Sequence, residues 1–165
     1  MSLDLDAGLA LVRQRLADDR YLAVLITTRP GRDEPQVAVV NASVIDHPVT
    51  GAPIVALVAR RGAKLANLRR HPRATVVARA GWEWAAVTGT VELSGPDDPN
   101  PAFDDEVRQR DLLRQIFVAA GGHHPDYDVY DRVMLDERRC AVLIHPTRIW
   151  SNSTGSEHRE PEDAQ

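Results

Sequence analysis

Between Tyr21 and Ile45 the chain carries two runs rich in Val, Ile, Leu and Thr, Tyr21–Thr28 and Gln36–Ile45, parted by Arg29-Pro30-Gly31-Arg32-Asp33-Glu34-Pro35. β-Branched residues favour strands, and a gap holding two prolines and a glycine is turn chemistry. A connection this short joins antiparallel neighbours, since a parallel crossover needs roughly a dozen residues or more. The same punctuation recurs. His47-Pro48-Val49-Thr50-Gly51 leads into Pro53–Ala59, Ala80-Gly81 separates Arg73–Arg79 from Trp82–Leu93, and Cys140–Trp150 comes last. Six strands with mostly antiparallel hairpins are better served by a closed or nearly closed barrel than by a parallel sheet, because closure removes exposed edges. Gly89, inside a long strand, reads as a bulge or barrel corner.

Helical spacing breaks the strand pattern four times. Leu9, Val12 and Leu16 share a face of Asp6–Ala17, with Arg13 and Arg15 opposite and Asp4 or Asp6 available as a cap. A short helix spans Ala63–Arg70 and stops before Pro72. Asp104–Ala119 offers Val107, Leu112, Ile116 and Phe117 to one broad face. After Gly121-Gly122 a helix restarts at His123-His124-Pro125-Asp126 and runs to about Arg138. The length favours one domain, residues 1–152. The remainder, 153–165, is polar and acidic and is expected to be a disordered tail.

The chemistry-bearing stretch is Val58 to Pro72. An apolar strand passes through Gly62 into a helix whose first turn gathers Arg60, Arg61 and Lys64. Unpaired N–H groups and the positive dipole end of a helix favour an anion, and three cations add full charges there. Leu65 and Leu68 would dock the helix while Lys64 and Asn67 face elsewhere. If the strand continues, Arg60 and Arg61 point to opposite faces, so only one of them reaches a ligand. A solvated basic turn before a helix is the alternative reading.

Composition narrows the field. A net charge of −4 with a sequence pI near 5.8 argues against nucleic acid as a partner, since a duplex binder needs an excess of Lys and Arg. The start, Met1 to Asp6, is acidic, and apolar runs such as Ile54–Ala59 fall far short of the ~20 residues that span a bilayer, so a cytoplasmic protein is expected. Cys140 is the only cysteine and stands in an apolar run, which reads as a buried small hydrophobe. His123-His124 with Asp126 and Asp128 has the composition of a metal site. Adjacent histidines cannot both point inward from a helix, so a helix start is preferred and no metal is expected. Trp82 and Trp84 share a strand face, and Tyr127 and Tyr130 are expected to pack.

Taken together, the Tyr21–Ile45 hairpin, Arg-Arg-Gly-x-Lys-x-x-Asn-Leu-Arg-Arg-His-Pro, the strand Ala86–Val91, Gly121–Tyr127 and the closing Ile149-Trp150-Ser151-Asn152 resemble a known family. It is that of the split β-barrel flavin and deazaflavin oxidoreductases related to pyridoxamine 5′-phosphate oxidase, and the likeness spans roughly Leu5 to Asn152. The subgroup that uses the deazaflavin coenzyme F420 is the nearest in pattern. The resemblance implies a mainly β protein with helices (α+β), a six-stranded antiparallel split barrel, and a homodimer with two cofactor clefts at the subunit interface. It implies that Lys64 meets the cofactor phosphate with Arg60 and Arg61, that Asn67 is a polar neighbour, and that Gln36, Val37, Ala38 and Val40 run beside the ring system. Coenzyme F420 is the expected cofactor and FMN the alternative. Both carry a ribityl phosphate, whereas the carboxylates of the deazaflavin would reward a wider basic rim, for which Arg69, Arg70, Arg73 and Arg79 are available. Hydride transfer to a conjugated small molecule is then the expected reaction. It needs no nucleophile, which agrees with the lack of a triad or zinc motif. A carrier that binds the cofactor without catalysis is a reading from another class.

Overall fold

Both strands of the expected hairpin are present in the computed structural model, which describes residues 1–152; the expected tail, 153–165, lies outside the described residues. In chain order the elements are β1 (Ser2–Leu3), α1 (Leu5–Asp18), β2 (Leu22–Thr28), β3 (Pro35–Asn41), β4 (Ser43–Asp46) and β5 (Pro53–Ala59). They continue as α2 (Ala63–Arg70), β6 (Arg73–Ala80), β7 (Glu83–Ser94), α3 (Glu106–Ala119), α4 (Tyr127–Asp136) and β8 (Cys140–Ser151). Asp4 is the cap of α1 and accepts from the N–H groups of Asp6 and Ala7.

All eight strands belong to one antiparallel sheet, ordered β3-β2-β6-β7-β8-β5-β4, with β1 paired to β8. The expectation of six strands is therefore corrected to eight among the described residues. One addition is the two-residue β1. The other comes from Gln36–Ile45, which is two strands broken at Ala42. Alternation fails there, because Ala42, Ser43, Val44 and Ile45 are buried in succession, and the Ala42 N–H leaves the ladder to donate to the Tyr21 carbonyl at 2.9 Å. β3 and β4 are thus the two ends of the sheet and yet are separated in the chain by one residue, so the sheet curls to bring its ends together.

Gly89 stands at the predicted irregularity. The β7–β8 register shifts between Thr88 and Gly89, and a Cβ on Gly89 would come within 2.1 Å of the His145 carbonyl oxygen. Pro146, opposite Gly89, fits a ladder that is already interrupted.

Two apolar clusters hold the layers. Inside the curl, Leu25, Val76, Val87, Val142, Ile144 and Ile149 pack with Leu9, Val12 and Leu16 of α1 and with Leu65 and Leu68 of α2. On the other face, Ile45, Ile54, Ala56 and Leu143 meet Phe103 and the α3 residues Leu112, Leu113 and Ile116. β5 is apolar on both faces for this reason. The outward face of the β2–β3 hairpin has no such cover. Val24 pairs with Val39 and Ile26 with Val37, and Val37 and Val39 are 59% and 68% exposed. Among the described residues no helix is long and apolar enough to cross a membrane.

Candidate functional site

Helix α2 begins at Gly62, whose φ of 151° suits few residues with a side chain, and no side chain caps its first turn. Its free N–H groups therefore remain open to an anion. One flank of the helix, Ala63, Ala66, Asn67 and Arg70, faces the hairpin loop across a hollow of about 400 Å³, whose remaining walls are Arg29, Pro30, Arg32 and Gln36. Two alanines leave the space and three arginines charge it. Arg29 approaches Glu34 at 3.8 Å. Arg32 and Arg70 have no acidic partner among the described residues.

The floor is an amide network. Asn67 is 8% exposed and donates from Nδ2 to Thr27 Oγ1 at 3.1 Å and to Gln36 Oε1 at 3.0 Å. Those bonds use both Asn67 N–H groups, so its carbonyl and the Gln36 amide N–H groups are what remain to meet a ligand. The hollow thus offers an acceptor, a donor and three guanidinium groups within one concavity.

Of the residues expected to lie at the cofactor, Gln36 and Asn67 meet at this hollow, whereas Val37 is on the opposite, exposed face of β3. Ala38 lies further along the Gln36 face, half-buried, and Val40 on that face is buried in the core at 8% exposure. Lys64 is half-buried and is not among the residues that wall the hollow, and it is the only lysine among the chain's 20 basic residues. Arg60 and Arg61 turn elsewhere: their guanidinium groups, 68% and 70% exposed, approach Glu137 at 4.0 Å and Asp97 at 3.8 Å. Asp97 also pairs with Arg138, which holds its carboxyl below the usual carboxylate range. Of the proposed rim, Arg70 reaches the hollow, whereas Arg69 is held by Asp98 in a bidentate pair at 2.7 and 2.8 Å. Arg29 and Arg32 carry no sequence signal beyond turn composition; what places them is the hairpin folding its loop over α2.

A second polar cluster lies on the other side of the sheet. Glu92 of β7 takes His145 Nε2 at 2.7 Å and His47 Nε2 at 3.2 Å on one oxygen, and Asn100 Nδ2 at 2.7 Å on the other. Burial pushes the Glu92 carboxyl up, but hydrogen bonds from Asn100, His145 and His47 outweigh it and hold the group below its ordinary range. Sequence reading missed this cluster because its members are far apart in the chain. The His123-His124 segment leads into a helix start: His124 Nδ1 accepts the Asp126 N–H at 3.1 Å, and Asp126 caps α4. Cys140 is buried, and desolvation lifts its thiol to about 12, as a small core hydrophobe requires.

No protein-family model matches the chain. Solved structures do resemble it. An FMN-binding protein related to pyridoxamine 5′-phosphate oxidase from Nostoc punctiforme aligns with TM-score 0.57 and 15% identity over 92% of this chain and 86% of that one. A pyridoxamine 5′-phosphate oxidase assignment from Listeria innocua gives 0.54 and 12% over 90% and 98%. A general stress protein 26 relative of the pyridoxinephosphate oxidase family from Clostridium acetobutylicum gives 0.56 and 9% over 92% of each chain. At such identities the likeness establishes a shared fold.

Proposed function

We propose that this protein is an oxidoreductase that binds a flavin-type cofactor, FMN or the deazaflavin coenzyme F420, beside α2 and reduces a conjugated small molecule. The observation that carries the reading is the hollow, where an uncapped helix start, three guanidinium groups and the Gln36–Asn67 amide pair converge on the space a ribityl phosphate would occupy. Lys64 would reach the phosphate from the flank of the first turn. Arg60 and Arg61 would join it by exchanging the exposed acids they now approach, an exchange that costs little because exposed pairs are weak. The ring system would lie along Gln36 and Ala38, with Val40 behind them. The cofactor supplies the hydride; the chain binds, orients and excludes water.

Each cofactor has an observation in its favour. The fold shared with an FMN-binding protein supports FMN. The three arginines of the hollow exceed what one phosphate needs and support the deazaflavin, which carries further carboxylates. A homodimer agrees with the bare outward face of β2 and β3, because an edge strand showing Val37 and Val39 to water invites a second apolar surface. Titration of the purified protein with FMN and with coenzyme F420, followed by fluorescence, decides between them. Saturable binding of one supports the reading, and failure of both removes it. Oxidation of the reduced cofactor by quinone or tetrapyrrole acceptors then separates an enzyme from a carrier.

A further inference from the structure

We propose that the cavity between α3, α4 and the connection formed by residues 94–105 is a second binding site, for an apolar small molecule that ends in a carboxylate.

The two helices clasp each other at one end. The Phe117 and Tyr130 rings lie 4.6 Å apart, Arg114 Nε donates to Asp131 Oδ1 at 2.9 Å, and the Tyr130 hydroxyl donates to the Leu113 carbonyl at 3.4 Å. Past this clasp, the start of α3 and the end of α4 wall a cavity of about 920 Å³, with the 94–105 connection opposite them. Sites for small molecules are concave, mostly apolar and roughly 300–1,000 Å³ in volume. The floor here is Phe103 and Leu113, each 6% exposed, beside Met134 of the same apolar cluster. Val107 and Leu135 also line the cavity and are 55% and 66% exposed, so an apolar occupant would take both out of water.

The facing wall is preformed. Pro96 and Pro99 line it, and between them Asp97 and Asp98 are held from behind by Arg138 and by Arg69 of α2. Gly95 and Asp98 exchange two backbone hydrogen bonds, at 2.9 and 3.1 Å, which close the turn. A wall fixed in advance lowers the entropy lost when a ligand binds.

The polar groups decide the head of the ligand. Of four acids on the lining, Asp131 is taken by Arg114, while Asp105 accepts the Arg108 N–H and approaches the Arg108 guanidinium at 3.3 Å, with Asp104 at 3.9 Å from it. The fourth, Glu106, stands in the first turn of α3, where the helix dipole already favours a carboxylate. The donors are less engaged. Arg132 has no acidic partner among the described residues. Gln109 gives one amide N–H to the Ser94 carbonyl at 3.0 Å, and its other N–H has no acceptor among the described residues. Arg110 and Arg139 turn Nε and Nη2 to Asp111 and Glu137, and Nη1 of each makes no hydrogen bond among the described residues. Open donors around an apolar floor match a ligand with an apolar body and one carboxylate.

Backbone amide NMR of the full chain, titrated with dodecanoate below its micelle concentration, tests the site. Saturable shifts are expected at Gly95, Gln109, Arg132 and Leu135, with Val37 and Val39 unmoved. Arg132→Glu, a change at an exposed side chain, should weaken dodecanoate by about fivefold and leave dodecan-1-ol unaffected. Leu135→Ala, also exposed, should weaken both probes. Shifts that never saturate, or that fall on Val37 and Val39 instead, overturn the proposal. So does an Arg132→Glu variant that binds dodecanoate as well as the parent does, or loses both probes equally. Titration with FMN or coenzyme F420 bears on the hollow beside α2 alone, so the two sites stand or fall separately.

Discussion

The side-chain amide of Asn67 donates to Gln36 Oε1 at 3.0 Å and so fastens α2 to β3 beneath the arginine-walled hollow. Asn67→Ala removes that bond and the one to Thr27, leaving the Thr27 hydroxyl without that partner in a nearly dry place. The expected loss is about 1–3 kcal/mol in urea unfolding, with weaker cofactor binding. An unchanged midpoint would show that the network contributes nothing to holding the helix.

The cations should separate into two classes. Lys64→Ala, Arg32→Ala and Arg70→Ala should each weaken cofactor binding by about 1.5–3 kcal/mol, the size of a charge-assisted contact. Arg61→Ala, which removes an exposed pair with Asp97, should cost less. Titration of the four variants at low and at high salt measures this. If Arg32→Ala and Arg70→Ala bind as well as the parent, the phosphate lies outside the hollow.

Gly89→Ala forces a Cβ onto the His145 carbonyl oxygen, a backbone atom that cannot turn away. The expected destabilisation is at least about 3 kcal/mol by thermal or chemical unfolding. Gly31→Ala serves as a comparison, since nothing lies within 4 Å of its added carbon and only its φ of 75° resists the change. Equal losses for the two would refute the close-approach explanation.

Acid should loosen the second polar cluster. The Glu92 carboxyl is held below its ordinary value of 4.5, so the folded form binds that proton less readily than the unfolded chain does. The resulting stability is fully present above about pH 4.5 and is lost as pH falls through the folded-state value. Glu92→Gln should flatten that part of the stability profile between pH 6 and pH 3. A parent-like slope in the variant would place the acid-sensitive group elsewhere.

The exposed valines predict a dimer. Light scattering on a sizing column should give twice the chain mass for the parent protein. Val37→Glu with Val39→Lys should shift it to the monomer without unfolding, because both side chains point away from the barrel interior. A monomeric parent would leave the hairpin face without a partner.

Much of this architecture was legible because local and tertiary demands agreed. The boundaries of Pro53–Ala59 and Ala63–Arg70 coincide with β5 and α2, since a continuous apolar run suits a strand buried on both faces and a glycine followed by paired leucines suits a docked helix. Ala42 was opaque: the break there is set by a bond to Tyr21, far back in the chain, rather than by a local breaker. The site was legible in part for a similar reason. Asn67 and Gln36 follow from helix and strand faces, but the partners of Arg60 and Arg61 come from after α4 and after β7, and spacing along α2 says nothing about them. Arg29 and Arg32 join the hollow only through the way a loop folds back.

The single-residue link at Ala42 leaves no slack between the two margins of the sheet. The base of the β2–β3 hairpin is anchored there and again at Tyr21, so it cannot swing without unzipping neighbouring strands. Its tip, at Arg29 to Arg32, has no equivalent tether. Any closing stroke over a bound anion must therefore be a flexing of that tip, with the floor at Gln36 standing still.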